Sequence, residues 1–135
     1  MIMAFLVVVI VAGILLLYFL GKFGKKFQRP LNQQYFETRW SELLGRVKTP
    51  DGMVLAIIDA DKLLDEALRK CGYKGKTMGE RLVSAQRAFT NNDGVWLAHK
   101  LRNRLVHEPG VRLRQHDAKT ALAGVKQGLK DLGAL

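Results

Sequence analysis

Arg102, Asn103 and His107 lie within six residues of one another in the run Arg102-Asn103-Arg104-Leu105-Val106-His107. A guanidinium is a permanently charged fork shaped for phosphate or carboxylate oxygens. An imidazole changes its charge near neutral pH. Such a trio is suited to gripping a phosphate and to moving a proton beside it. The run falls inside a stretch whose apolar spacing predicts a helix over about 95–108, ended by Pro109-Gly110. On that helix Arg102 projects from the apolar stripe formed by Val95, Ala98, Leu101 and Leu105. Asn103 and His107, four residues apart, share a neighbouring face with His99 beside it, and Lys100 and Arg104 extend that face as a basic rim.

An arginine on an apolar stripe is costly to desolvate unless it is paired. Two partners suit it. One is a carboxylate from another helix, for which Asp61, at the border of an apolar arc, is the best placed. The other is a phosphate brought by a ligand. The first makes Arg102 a structural pin and the second makes it a binding group. His107, at a helix C-terminus, has its own structural role open to it, because a cationic imidazole there gains from the helix dipole.

The elements that must carry these residues follow from periodicity. Leu31 to Val47 reads as a helix with Tyr35, Phe36, Trp40, Leu43 and Leu44 on one side. Thr49-Pro50-Asp51-Gly52 reads as a turn, followed by a helix from about Met53 to Cys71 whose arc of Ile57, Ala60, Leu63, Leu64, Ala67 and Leu68 faces inward, with Asp59, Lys62 and Glu66 opposite. Thr77-x-x-Glu80 has capping-box spacing and starts a helix to about Phe89. Asp93 is the expected N-cap of the motif helix, and a last helix runs from about Asp117 to Leu132. No segment alternates convincingly with period two. The fold class expected is all-α: an antiparallel four- or five-helix bundle preceded by a single transmembrane helix.

That preceding segment is Ile2 to Leu20, apolar throughout and without a charge. As a helix it spans roughly 28 Å, close to the hydrocarbon thickness of a bilayer. It lacks a basic n-region, and Tyr18-Phe19-Leu20-Gly21-Lys22 is a poor cleavage site, so a retained anchor is expected rather than a signal peptide. Lys22, Lys25, Lys26 and Arg29 follow it, which places the N-terminus outside and the C-terminal domain in the cytoplasm. The organisation expected is thus an anchor over 1–21, a basic juxtamembrane linker over 22–30, and the bundle over 31–135.

The chain carries 22 Lys and Arg against 12 Asp and Glu, a formal +10. After the four juxtamembrane cations, an excess of six remains, which favours polyanions, either anionic lipid or nucleic acid. Lys74, Lys76, Arg81, Arg87, Arg112 and Arg114 read as solvated basic positions. Together with Lys100 and Arg104, Arg112 and Arg114 are the candidates for following a phosphate backbone. Cys71, the single cysteine, rules out an intramolecular disulfide and fits a reducing compartment. Three scattered histidines give no metal site, His107-Glu108-Pro109 lacks the second histidine of a zincin, and no glycine-rich loop follows a strand. No cofactor is expected.

Arg102-Asn103-x-x-x-His107 near the end of a helix resembles the signature of HEPN domains, as does the setting of a small helical bundle with an earlier helix of the type Ile57 to Leu68. The resemblance covers roughly residues 31–132, and only the six-residue motif is specific. It implies a metal-independent endoribonuclease or an RNA-binding protein, working as a homodimer in which two motifs line one cleft, and in some settings paired with an antitoxin or other protein partner. By that resemblance His107 is the acid/base group, Arg102 neutralises transition-state charge, and Asn103 orients the phosphate or His107. The products would be a 2′,3′-cyclic phosphate and a 5′-hydroxyl. The alternative is a non-catalytic, membrane-tethered helical module that binds a protein partner or anionic lipid, with Asp61 and His99 in supporting positions.

Overall fold

A computed structural model of the chain describes residues 1–23 and 29–135. Most of the predicted basic linker, including Lys25 and Lys26, lies outside the described residues. The described residues form six helices and no strand: α1 (Ile2–Phe23), α2 (Gln33–Leu44), α3 (Pro50–Lys70), α4 (Met78–Ala85), α5 (Asn92–His107) and α6 (Gln115–Asp131). The architecture is all-α.

α1 stands apart in character. Every residue from Ile2 to Leu20 is exposed, and this stretch has a mean hydropathy of 3.0. An apolar helix with no buried face has no packing role within the fold. Its length and composition fit a membrane span, and a signal sequence would look the same.

The five helices α2 to α6 share one core. Phe36, Trp40 and Leu43 enter it from α2, and all six residues of the predicted α3 arc are buried. Leu82 and Ala85 come from α4, Val95, Ala98 and Leu101 from α5, and Ala118, Ala121, Val125 and Leu129 from α6. The small residues of α6 let α5 lie unusually close. A Cβ on Gly128 would meet Val95 Cγ2 at 3.0 Å, and one on Gly124 would strike the Gly94 backbone at 2.5 Å.

The helix ends differ from the sequence expectation for local reasons. α2 starts under the cap of Asn32, whose side chain accepts from the Tyr35 N–H at 3.1 Å. It stops at Leu44 rather than Val47 because the next amides tighten into i→i+3 bonds, Arg46 to Leu43 and Val47 to Leu44. The Thr49-to-Gly52 segment is the start of α3, not a turn before it. Thr49 Oγ1 accepts from the Gly52 N–H at 3.0 Å, and Pro50 sits in the first turn, where a missing N–H costs nothing.

α3 closes with Gly72 at φ +89°, and the Tyr73 N–H reaches back to the Leu68 carbonyl, a Schellman ending that needs glycine's access to the left-handed region. α4 keeps half of the predicted box. Thr77 Oγ1 accepts from the Glu80 N–H, while the Glu80 carboxylate takes the N–H of Lys76. α4 ends at Ala85 instead of Phe89, with tight turns through Ala88. The cap of α5 is Asn91, accepting from the Gly94 N–H at 2.9 Å, and Asp93 lies in the first turn instead. α6 starts at Gln115, two residues before Asp117.

Candidate functional site

α3 and α5 meet at Asp61, which is 3% exposed and is the one buried polar or charged residue among those described. Its position follows from the α3 arc, since it sits beside Ala60 and Leu64 on the inward side, under α5. Burying a carboxylate costs free energy unless its oxygens are occupied, and α5 occupies them. His99 Nδ1 lies 3.1 Å from Asp61 Oδ1 and 3.3 Å from Oδ2. Arg102 Nε lies 3.6 Å from Oδ2, an ion pair too long to count as a hydrogen bond. Arg102 Nη1 donates to Asn103 Oδ1 at 2.9 Å, and Asn103 Nδ2 lies 3.4 Å from His99 Nε2.

The four side chains therefore close a circuit: Asp61, His99, Asn103, Arg102 and back to Asp61. Three of them come from α5, where His99 and Asn103 are one turn apart and Arg102 is three residues from His99. Their spacing puts them over one carboxylate. The Trp96 ring stands edge-on to His99, with centroids 6.0 Å apart and planes at 72°. Side-chain exposure grades outward, with Asp61 at 4%, His99 at 13% and Arg102 at 26%. The circuit is anchored in the core and opens on the surface of α5.

The remaining expected site residues are placed differently. His107 is the last residue of α5 and is exposed. Among the described residues it has no hydrogen bond or ion pair with Arg102 or Asn103, although it follows Asn103 by one turn on the same face. Lys100 and Arg112 are exposed and carry no ion pair among the described residues. Arg104 pairs with Glu108 at 3.6 Å and Arg114 with Asp117 at 2.9 Å, so part of the basic rim is locally balanced.

Arg81 is not the solvated cation that the sequence suggested. Its side chain is 11% exposed. It holds Asp65 with Nε at 2.6 Å and Nη2 at 2.9 Å, and it donates from Nη1 to the Gly75 carbonyl. The hydrogen bond with Asp65 pushes the Arg81 guanidinium above its ordinary value, so it is charged at every accessible pH. This pair fixes α4 and the loop before it onto α3, one turn along from Asp61.

The sequence puts His99 beside the motif and Asp61 within reach of Arg102, but it does not show that one carboxylate serves both. The signal available was the i, i+3, i+4 spacing of His99, Arg102 and Asn103, which becomes informative only once α3 is known to lie beneath.

A groove of about 330 Å³ opens on the other side of α3, between it and α2, lined among others by Arg39, Arg46 and Lys62 against Glu42, Asp59 and Glu66. Arg39 pairs with Glu42 and Arg46 with Asp59, so the lining largely neutralises itself. No group of three or more His, Cys, Asp or Glu side chains able to hold a metal ion occurs among the described residues. Cys71 is buried, its thiol donates to the Leu132 carbonyl at 3.8 Å, and burial pushes its pKa up. No family model matches the chain, and no curated protein and no solved structure matches it.

Proposed function

We propose that this chain is a membrane-tethered HEPN-like protein that binds RNA along the outer edge of α5 and cleaves it without a metal ion. The observation that carries the reading is the Asp61 circuit. It fixes a guanidinium, an amide and an imidazole side by side at a partly open edge of an otherwise apolar core. Buried polar groups of this kind reduce stability unless every member is satisfied, and they are concentrated where proteins do chemistry. Arg102 Nη2 has no hydrogen bond among the described residues, and it is the part of the fork left for a phosphate oxygen. Lys100 and Arg112, without an ion pair among the described residues, supply further positive charge near the motif in sequence, which supports a polyanionic partner.

In this reading α1 is retained as a single-pass anchor, with the N-terminus outside and the helical body at the cytoplasmic face, the orientation that the positive charges after Leu20 support. A homodimer would bring two α5 edges together over one RNA strand. Cleavage by the internal 2′-hydroxyl would leave a 2′,3′-cyclic phosphate and a 5′-hydroxyl.

The second reading is a non-catalytic module that docks a protein partner or anionic lipid. It is favoured by one observation: Arg102 already leans on Asp61 and Asn103 while His107 stands apart. Incubating the full chain, held in lipid nanodiscs, with end-labelled RNA in EDTA separates the two. The enzyme reading expects cyclic-phosphate ends that disappear in Arg102→Ala while thermal unfolding stays cooperative. Intact RNA at high protein concentration rejects it in favour of the module, and cleavage that needs an added metal rejects the metal-independent mechanism.

A further inference from the structure

The contacts around Asp61 agree on one hydrogen-bond polarity, set at one end by Arg102 and at the other by the carboxylate. A guanidinium has donors and no acceptor. The Asn103 atom facing Arg102 Nη1 at 2.9 Å must therefore be the amide oxygen. The amide nitrogen then faces His99 Nε2 at 3.4 Å, a long contact with the ring nitrogen on the accepting side. An imidazole that accepts at Nε2 and is neutral carries its hydrogen on Nδ1. That hydrogen points at the Asp61 carboxylate, 3.1 Å away, which accepts it. The Asp61 carboxylate, which only accepts, asks for the same Nδ1 hydrogen by itself, so the strong 3.1 Å contact and the long 3.4 Å one agree on the tautomer of His99.

Resting on the cleavage reading above, the geometry points to His99, oriented by Asp61, as the base that takes the proton from the ribose 2′-hydroxyl. His99 is the imidazole that shares a hydrogen-bonded circuit with Arg102, and its Nε2 lone pair faces away from the buried carboxylate. At 3.4 Å the Asn103 contact is long for a hydrogen bond, and a 2′-hydroxyl is the group that would replace it. Asp61 is a positioning residue: it holds the ring and stabilises the imidazolium that forms. The groups around the ring are Asp61 from α3 and Trp96 and Asn103 from α5, with Arg102 on the same carboxylate.

The step balances within substrate and solvent. The 2′-hydroxyl proton moves to His99 Nε2, the 2′-oxygen forms a bond to phosphorus, and the bond from phosphorus to the 5′-oxygen breaks. The departing oxygen takes a proton from water, and the resulting hydroxide is neutralised by the proton that His99 gives back. Arg102 Nη2 opposes the charge that builds on the non-bridging oxygens.

The test uses the full chain in nanodiscs with a labelled RNA of defined sequence. His99→Gln is expected to slow cleavage by at least about 100-fold, the usual size of a general-base contribution, while His116→Gln, an exposed change on α6, leaves the rate intact. Independently of any variant, the midpoint of the wild-type rate–pH profile is expected to coincide with the titration of the His99 ring followed by NMR. A His99→Gln protein that cleaves at the wild-type rate, or a midpoint that follows the His107 ring, overturns the assignment and leaves the cleavage reading standing. A wild-type chain that cleaves no RNA overturns both.

Discussion

The Cβ that Gly124 lacks would lie 2.5 Å from both the carbonyl carbon and the carbonyl oxygen of Gly94. Backbone meets backbone here, because Gly94 is itself pressed against its capping residue: a Cβ there would be 2.4 Å from Asn91 Nδ2. The pair sets how closely α5 lies against α6, and hence where α5 carries His99, Arg102 and Asn103. Gly124→Ala is expected to cost about 1–3 kcal/mol, the usual price of overpacking. Its Tm should fall by several degrees in a thermal melt. An unchanged Tm would mean that the helices separate without resistance.

Asp61 joins α3 to α5 by charge as well as by packing. Asp61→Ala leaves Arg102 and His99 facing an apolar wall, and about 1–3 kcal/mol of stability should be lost, the range for an unsatisfied buried polar group. Asp61→Asn keeps the shape and an acceptor, so its loss should be smaller. Urea unfolding of the two variants, read as a difference in midpoint, checks the order. Equal losses would show that shape alone holds the contact.

Arg81 and Asp65 form a two-pronged ion pair, with two nitrogens on two oxygens. Arg81→Lys should recover little of the stability lost in Arg81→Ala, because an ammonium cannot reproduce the fork or reach the Gly75 carbonyl as well. A double-mutant cycle with Asp65→Ala should return a coupling of about 1–3 kcal/mol.

Cys71 gives a pH signature. Burial pushes its thiol up in the folded chain relative to the unfolded one. A group whose folded pKa is raised contributes stability that is fully present below its unfolded pKa and is lost as pH rises through the folded one. Stability should therefore decline above the unfolded thiol's value, about 8.5. Cys71→Ala should flatten that decline in unfolding curves taken between pH 8 and 10.5. A slope identical in both proteins would assign the effect to other groups.

α1 makes a separate test. Val9→Arg puts a charge at the middle of the apolar stretch and should weaken insertion by about 2.5–3.5 kcal/mol. Alkaline extraction of membranes should then release the variant while the unaltered chain stays with the pellet. Recovery of a chain whose N-terminus begins beyond Leu20 would identify a cleaved leader instead.

The inward faces could be read from the chain because helical periodicity reports which residues point inward. Ile57, Ala60, Leu63, Leu64, Ala67 and Leu68 are all buried, and Thr77 does cap α4. Periodicity says nothing about which helix lies opposite. Asp65 and Arg81 are separated by a loop, and only the closed fold shows that they meet, which is why Arg81 looked like surface. Asn91 displaced Asp93 as the α5 cap because the cap must sit three residues before an amide it can reach, and that amide belongs to Gly94. His99 reads as a neighbour of the motif, but its contact with Asp61 depends on the α3–α5 register, which no local pattern encodes.

The order in which the helices are synthesised has a consequence for how this protein is made. α1 leaves the ribosome first, and α6, which brings Ala118, Ala121, Val125 and Leu129 to the core, leaves after the others. Until α6 arrives, the flank of α5 that carries Gly94 and Val95 has no cover. A half-built body is therefore sticky until its last helix is released, and a chain cut before α6 should aggregate rather than settle into a smaller fold.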